Sequence, residues 1–249
     1  MSGAAAILPR AVSRQLLIYR LGSRVKRHRS QKLAGVPALI EASMDPNRMQ
    51  ALRHDVGAEF DRNPTSAAKY AMPREWLLLN TLRAGDLGLH TSSGWRILDI
   101  GCGPAYFLAA ARALGHHTEG VDAPPSYMTP VERRVYGELI KVLRLGESVS
   151  PLLIERFVPL PFAEERYDLI TAFWICFNRH RQPDEWGVDE WRFFVEDATR
   201  RLRPGGRLFL ELNENPERYG GLRFYDAATR DYFRSVGTVN EGCVLVKRP

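Results

Sequence analysis

Cysteine is scarce in this chain: three in 249 residues, at Cys102, Cys176 and Cys243. Their odd number and wide spacing exclude a disulfide framework and match no metal-ligand pattern. No metal is expected, and a reducing, cytoplasmic setting is the natural reading. A run of roughly 18 apolar residues is missing, so no membrane-spanning helix is expected. The apolar block Ala4 to Leu8 is too short for a secretory core. There is no internal repeat and no low-complexity tract. Acid is absent from residues 1–35, where eight Lys or Arg crowd together (Arg10, Arg14, Arg20, Arg24, Lys26, Arg27, Arg29 and Lys32). Since the whole chain is +6, the rest carries a slight net negative charge, and the basic character belongs to this arm. Such an arm is either a solvated face or a docking segment for nucleic acid, an anionic membrane surface or an acidic partner. Its apolar residues (Val12, Leu16, Leu17, Ile18, Leu21 and Val25) do not gather on one helical face, which argues against an amphipathic anchor.

What is present reads as an ordinary globular chain, 45% hydrophobic and 26% charged. Residues 1–70 form a basic N-terminal extension, helical or partly disordered. The steps Val36-Pro37, Asp45-Pro46 and Asn63-Pro64 interrupt any long helix there. Short helices are expected over 11–27, 38–43 and 47–60. Residues 71–249 form the main domain, opened by a helix with Pro73 in its first turn. From there strands and helices alternate to about residue 212, which predicts a mainly parallel sheet with helices on both faces. A helix near Asp226 to Ser235 and strands over 237–240 and 243–247 are expected to finish the chain.

The densest signal is Arg96-Ile97-Leu98-Asp99-Ile100-Gly101-Cys102-Gly103-Pro104-Ala105-Tyr106-Phe107. Ile97, Leu98 and Ile100 read as a buried strand with Asp99 near its end. Gly101 and Gly103 permit a tight turn and close approach of the backbone to a ligand. The alanine-rich run from Phe107 to Leu114 reads as a helix. Strand, turn and helix N-terminus make a binding site at the carboxyl edge of an α/β sheet. A dinucleotide fingerprint would place a small residue where Tyr106 stands. An Asp two residues before the first Gly instead suits a ligand with an ammonium group.

The run D-I-G-C-G-P-x-x-F resembles motif I of the class I S-adenosylmethionine-dependent methyltransferases. Three later segments resemble that family in the same order. His117 to Asp122 reads as a second strand ending in an acid, 23 residues after Asp99. Leu160-Pro161-Phe162 followed by Tyr167 to Phe173 is similar to the family's "LPF…FDLV". Leu202-Arg203-Pro204-Gly205-Gly206-Arg207-Leu208 is similar to its "L-x-P-G-G-x-L". The resemblance covers about residues 75 to 249. It implies a Rossmann-like α/β fold with a seven-stranded sheet whose last strand is antiparallel. It also implies S-adenosylmethionine as cofactor and S-adenosylhomocysteine as product.

By that resemblance Asp99, Gly101 and Gly103 hold the methionine end. The Asp would accept from the ammonium, and N–H groups of the turn and helix start would take the carboxylate. Asp122 would accept from the ribose hydroxyls, with Ala123 and Pro124 shaping the adenine wall. Glu155 and Phe157 are the nearest acid and ring for the adenine, although Phe157 suits the core equally well. Tyr106 and Phe173 are further expected cofactor neighbours.

For the chemistry, the segment from Phe173 to Gly187 should overhang the methyl group. It lacks an N/D-P-P-Y pattern and any paired-cysteine arrangement. An oxygen or nitrogen of a small-molecule, glycan or lipid-linked acceptor is therefore expected. His180 is the candidate base, because imidazole titrates near neutrality. Asn178 is the candidate that orients the acceptor. Turn formation and helix capping are the plainer roles for both. Two alternatives remain: an RNA methyltransferase that binds phosphates through the basic arm, and a non-catalytic S-adenosylmethionine-binding protein.

Overall fold

The computed structural model describes residues 31–175, 186–212, 225–240 and 243–249. They fall into two compact units that interleave along the chain. One comprises 31–94, 103–116 and 125–149; the other comprises 95–102, 117–124 and the described residues from 150 onward. The expected helix over 11–27 lies outside the described residues.

The first unit is helical. After a short turn, Gln31–Ala34, come α1 (Val36–Ser43), α2 (Pro46–Arg62), α3 (Pro73–Asp86), α4 (Tyr106–Ala113) and α5 (Pro130–Val142). Proline opens or nearly opens α1, α2, α3 and α5, where its missing N–H costs nothing. Pro37 thus sits inside the first turn of α1 and does not delay its start. Asp45 caps α2 by accepting from the N–H of Asn47 at 2.9 Å and of Arg48 at 3.1 Å. Thr129 and Glu132 close a reciprocal capping box at the start of α5. Leu77, Leu108, Val135 and Leu139 are fully buried.

The second unit holds the sheet: β1 (Arg96–Ile100), β2 (His117–Asp122), β3 (Val149–Pro151), β4 (Tyr167–Ile175), β5 (Leu202–Leu212), β6 (Thr238–Asn240) and β7 (Cys243–Lys247). The strand order is β3-β2-β1-β4-β5-β7-β6. β1 pairs in parallel with β2 and β4, and β4 with β5. β7 runs antiparallel between β5 and β6, as expected of the last strand. β5 starts at Leu202, six residues earlier than Leu208, so Pro204-Gly205-Gly206 lies inside a strand instead of forming the turn before it. Gly206 allows this: a Cβ there would stand 2.8 Å from the Arg203 carbonyl oxygen.

Strand alternation sorts the sheet's two faces. Leu98, Ile100, Ile170, Ala172, Leu208, Leu210, Val244 and Val246 point to one face and join a core with Trp191, Phe194, Val195, Ala198 and Phe233. These aromatic and aliphatic partners come from α6 (Val188–Arg201) and α7 (Ala227–Val236). Trp191 is the centre of that layer, with ring centroids 5.4 Å from Trp186 and 5.3 Å from Phe233. The other face carries Asp99, Thr171, Phe173, Phe209 and Glu211.

Asp197 on α6 ties this layer to the chain before β4. Its carboxylate is 1% exposed and accepts from the Leu160 N–H at 2.7 Å and from Arg201 at 2.9 Å. Asp197→Ala is expected to cost about 2–4 kcal/mol in urea unfolding, because a buried N–H and a guanidinium lose their acceptor. Asp197→Asn should cost less, since its amide oxygen still receives the Leu160 N–H. Equal losses would assign the whole effect to charge.

Candidate functional site

The site is built where β1 and β2 end side by side. In open α/β sheets ligands bind at this carboxyl edge. Asp99 pairs with Gly120 on β2 and with Thr171 on β4. Its carboxylate is 2% exposed, and Oδ1 accepts from the Thr171 hydroxyl at 2.8 Å. Thr171 went unnoticed in the sequence. Its signal is one hydroxyl inside the apolar strand Leu169-Ile170-Thr171-Ala172-Phe173.

Beyond Ile100 the chain turns sharply. Gly101, Gly103 and Ala105 have φ of 70°, 51° and 61°, all in the left-handed region. Glycine enters that region without a Cβ penalty; Ala105 enters it as a side-chain-bearing residue. The N–H groups of Gly101 and Cys102 both donate to the Val121 carbonyl, at 2.8 and 3.0 Å. They are therefore turned toward β2. Ala105 stands at the N-cap of α4 and supplies no capping side chain.

Asp122 ends β2 two residues past the partner of Asp99. Strand spacing and rise then put the two Cα atoms about 8 Å apart. The carboxylate of Asp122 is half-exposed, and Oδ1 accepts from the Ala123 N–H at 2.7 Å. The buried Cys102 thiol is near enough to both acids to feel their charge. Burial, then the charge of Asp122, then that of Asp99 push its pKa well above the ordinary thiol value. One thiol that senses both carboxylates brings together the two acids the sequence singled out.

Tyr106 is 1% exposed, and its hydroxyl donates to the Tyr70 carbonyl at 2.7 Å within the helical unit. Glu155 is exposed. Phe157 is 53% exposed, with φ of 58°, and sets its ring edge-on to Phe193 of α6 at 5.8 Å. Phe173 is half-buried, 5.8 Å from the Phe209 ring. His180 and Asn178 lie outside the described residues.

One irregularity marks the end of β4. Phe173 pairs with Glu211 and Ile175 with Leu212, so the β4–β5 register shifts by one residue at Trp174. Its φ is 54°. Left-handed backbone costs a residue with a Cβ about 1–2 kcal/mol, and bulges in parallel pairs are rare. Beside it, the Glu211 side chain is buried at the end of β5. Among the described residues no group of three His, Cys, Asp or Glu is placed to hold a metal, and no helix is long and apolar enough to cross a membrane.

Residues 98–210 match the family described as "Methyltransferase domain". Over that stretch the chain is similar to S-adenosylmethionine-dependent methyltransferases. The 27-O-demethylrifamycin SV methyltransferase of Amycolatopsis mediterranei is 30% identical over 132 residues, which is 52% of this chain and 39% of that protein. The demethylmenaquinone methyltransferase of Bacillus velezensis is 28% identical over 140 residues, 55% of this chain and 53% of that protein. Thus the chain spans about two fifths to one half of the length of these relatives. Among solved structures, the amino pentose methyltransferase CalS10 of Micromonospora echinaspora aligns over 61% of this chain and 57% of that one, with 22% identity and a TM-score of 0.41.

The methyltransferase domain makes a chemical prediction at Cys102. Its thiol is expected to react with iodoacetamide far more slowly than Cys243 between about pH 7 and 9, because little thiolate is present. Asp122→Asn should hasten the reaction: removing that negative charge lowers the thiol pKa, so more thiolate exists at any given pH. Peptide mass mapping reads both rates. An unchanged Cys102 rate in the variant would place Asp122 out of range of the thiol.

Proposed function

We propose that the protein transfers a methyl group from S-adenosylmethionine to an oxygen or nitrogen of a small-molecule, glycan or lipid-linked acceptor. The pair Asp99 and Asp122 around one buried thiol carries the reading. Two carboxylates held close raise each other's cost of ionisation, and a ligand with a positive centre offsets that cost. Asp99 would accept from the methionyl ammonium, directly or through water. Asp122 would take the ribose hydroxyls: a carboxylate has about four acceptor positions, and the Ala123 N–H occupies one.

S-adenosylmethionine supplies a methyl group already activated on a sulfonium, for in-line displacement. The protein's task is then to hold the acceptor atom in line, and such positioning accounts for several kcal/mol of barrier, roughly 7–11 at its best. Asn178 would orient the acceptor. His180 would remove a proton where the acceptor atom carries one. Small-molecule acceptors in the names of the rifamycin and menaquinone relatives support this substrate class.

Calorimetry with S-adenosylmethionine tests the cofactor site. Asp99→Ala and Asp122→Ala are each expected to weaken binding by roughly ten- to hundredfold, the loss of a charge-assisted hydrogen bond. Unaltered affinity in both variants would contradict the assignment. For His180→Ala, turnover should fall by roughly 10²–10⁴ while cofactor affinity stays the same. Turnover equal to wild type would retire His180 as base. The assay needs an acceptor, found by screening metabolite pools with methyl-labelled cofactor and weighing the product.

A further inference from the structure

Three successive carbonyls of one short turn each accept from a side chain of a different helix. The turn is Ala67–Ala71, between α2 and α3. The Lys69 carbonyl takes the indole N–H of Trp76 (α3) at 3.0 Å. The Tyr70 carbonyl takes the hydroxyl of Tyr106 (α4) at 2.7 Å, and the Ala71 carbonyl the Nε–H of Arg53 (α2) at 3.2 Å. The last carbonyls of a helical turn have no partner within it, so donors of this kind satisfy them. Tyr106 differs from the other two donors in where it is rooted. It directly follows Ala105, the residue that closes the glycine turn.

Left-handed residues alternate through that turn at 101, 103 and 105. The first two are glycine. The third is Ala105, buried, at φ 61° and ψ 23°. Its Cβ makes this conformation costly, and such strain persists only where the surroundings over-determine it. The Ala105 carbonyl accepts from the Ala109 N–H at 3.0 Å and so opens α4. Relaxing Ala105 would unwind that first helical turn and swing Tyr106 with it. Tyr106 is 1% exposed, and burial pushes its phenol pKa up, so the hydroxyl keeps its proton and remains a donor. Its bond to the Tyr70 carbonyl therefore resists the relaxation.

We propose that Tyr106 is a positioning residue for S-adenosylmethionine: by bonding to the Tyr70 carbonyl, it holds Ala105 in the left-handed conformation that shapes the turn from Gly103 to Ala105. It acts through the backbone, not by touching the ligand. The turn is thereby formed before the ligand arrives, which lowers the ordering cost of binding. The inference rests on reading this turn as the site of the cofactor's methionine end.

The test is calorimetry with S-adenosylhomocysteine on the full chain, well below the melting transition of every variant. Tyr106→Phe keeps the ring and removes the bond, and affinity should fall roughly tenfold. Ala105→Gly alone should bind within about twofold of wild type, because glycine takes positive φ without a Cβ penalty. The double variant should return to within about threefold of wild type, since the tether then has no strain to hold. Arg53→Met loosens the same turn from α2 and should leave affinity at the wild-type value. Wild-type affinity in Tyr106→Phe would overturn the inference. So would a clear loss in Ala105→Gly alone, a result that does not depend on Tyr106→Phe folding. A loss in Tyr106→Phe that glycine at 105 does not restore would make Tyr106 a packing residue, against the inference. An equal loss in Arg53→Met would assign the effect to Ala67–Ala71 instead of Ala105 and likewise overturn it. Failure of wild type to bind S-adenosylhomocysteine would instead sink the cofactor site itself.

Discussion

Everything at the candidate site depends on how the chain leaves β1. Two consecutive amides, of Gly101 and Cys102, clamp onto a single carbonyl at the end of β2. That clamp folds the turn over the neighbouring strand and brings Cys102 within reach of the charges of Asp99 and Asp122. The left-handed φ of Gly101 makes the geometry accessible. Without the clamp the acids would still end adjacent strands. Asp99 is further fixed by the Thr171 hydroxyl on β4.

A second constraint acts on the sheet. Trp191, Trp186, Phe194 and Phe233 form a dense aromatic layer under β4 and β5. Buried aromatic side chains of this size contribute heavily to a core, and they leave the strands above little freedom. The bulge at Trp174 occurs just past the last strand residue of that layer, Ala172. Strain there is tolerable because the layer beneath is over-determined.

Much of this was legible in the sequence because the signals are local. Asp99 lies near the end of β1 and Asp122 ends β2, and parallel pairing brings these ends together. The helix start at Pro73 follows from proline's fixed φ. The less legible features depend on partners distant in the chain. Leu202 to Gly206 looks like a turn because it holds proline and two glycines, yet pairing of Tyr167 with Leu202 draws it into β5. The partner of the Tyr106 hydroxyl, a carbonyl 36 residues earlier, has no local signal either. Phe157 carries no periodic signal at all, since its left-handed backbone belongs to a turn. No local pattern announces that a tryptophan will be the extra residue of a parallel bulge.

The sheet's charges complete the argument for a cationic ligand. At the edge where parallel strands begin, acids and bases neutralise one another. Arg166 meets Glu119 at 2.5 Å, Arg203 meets Asp168 at 3.3 Å, and Arg248 meets Glu165 at 2.7 Å. Burial opposes the ionised form of Glu119, but hydrogen bonds from Arg166 and Tyr167 outweigh it and hold its pKa below the ordinary carboxylate value. These bases lie at the far edge, away from the carboxyl edge where Asp99 and Asp122 lie. An edge lined by acids favours positive charge. A sulfonium with an ammonium tail therefore fits the electrostatics of the edge as well as the spacing of its carboxylates, whereas a pyrophosphate would meet repulsion from both acids at once.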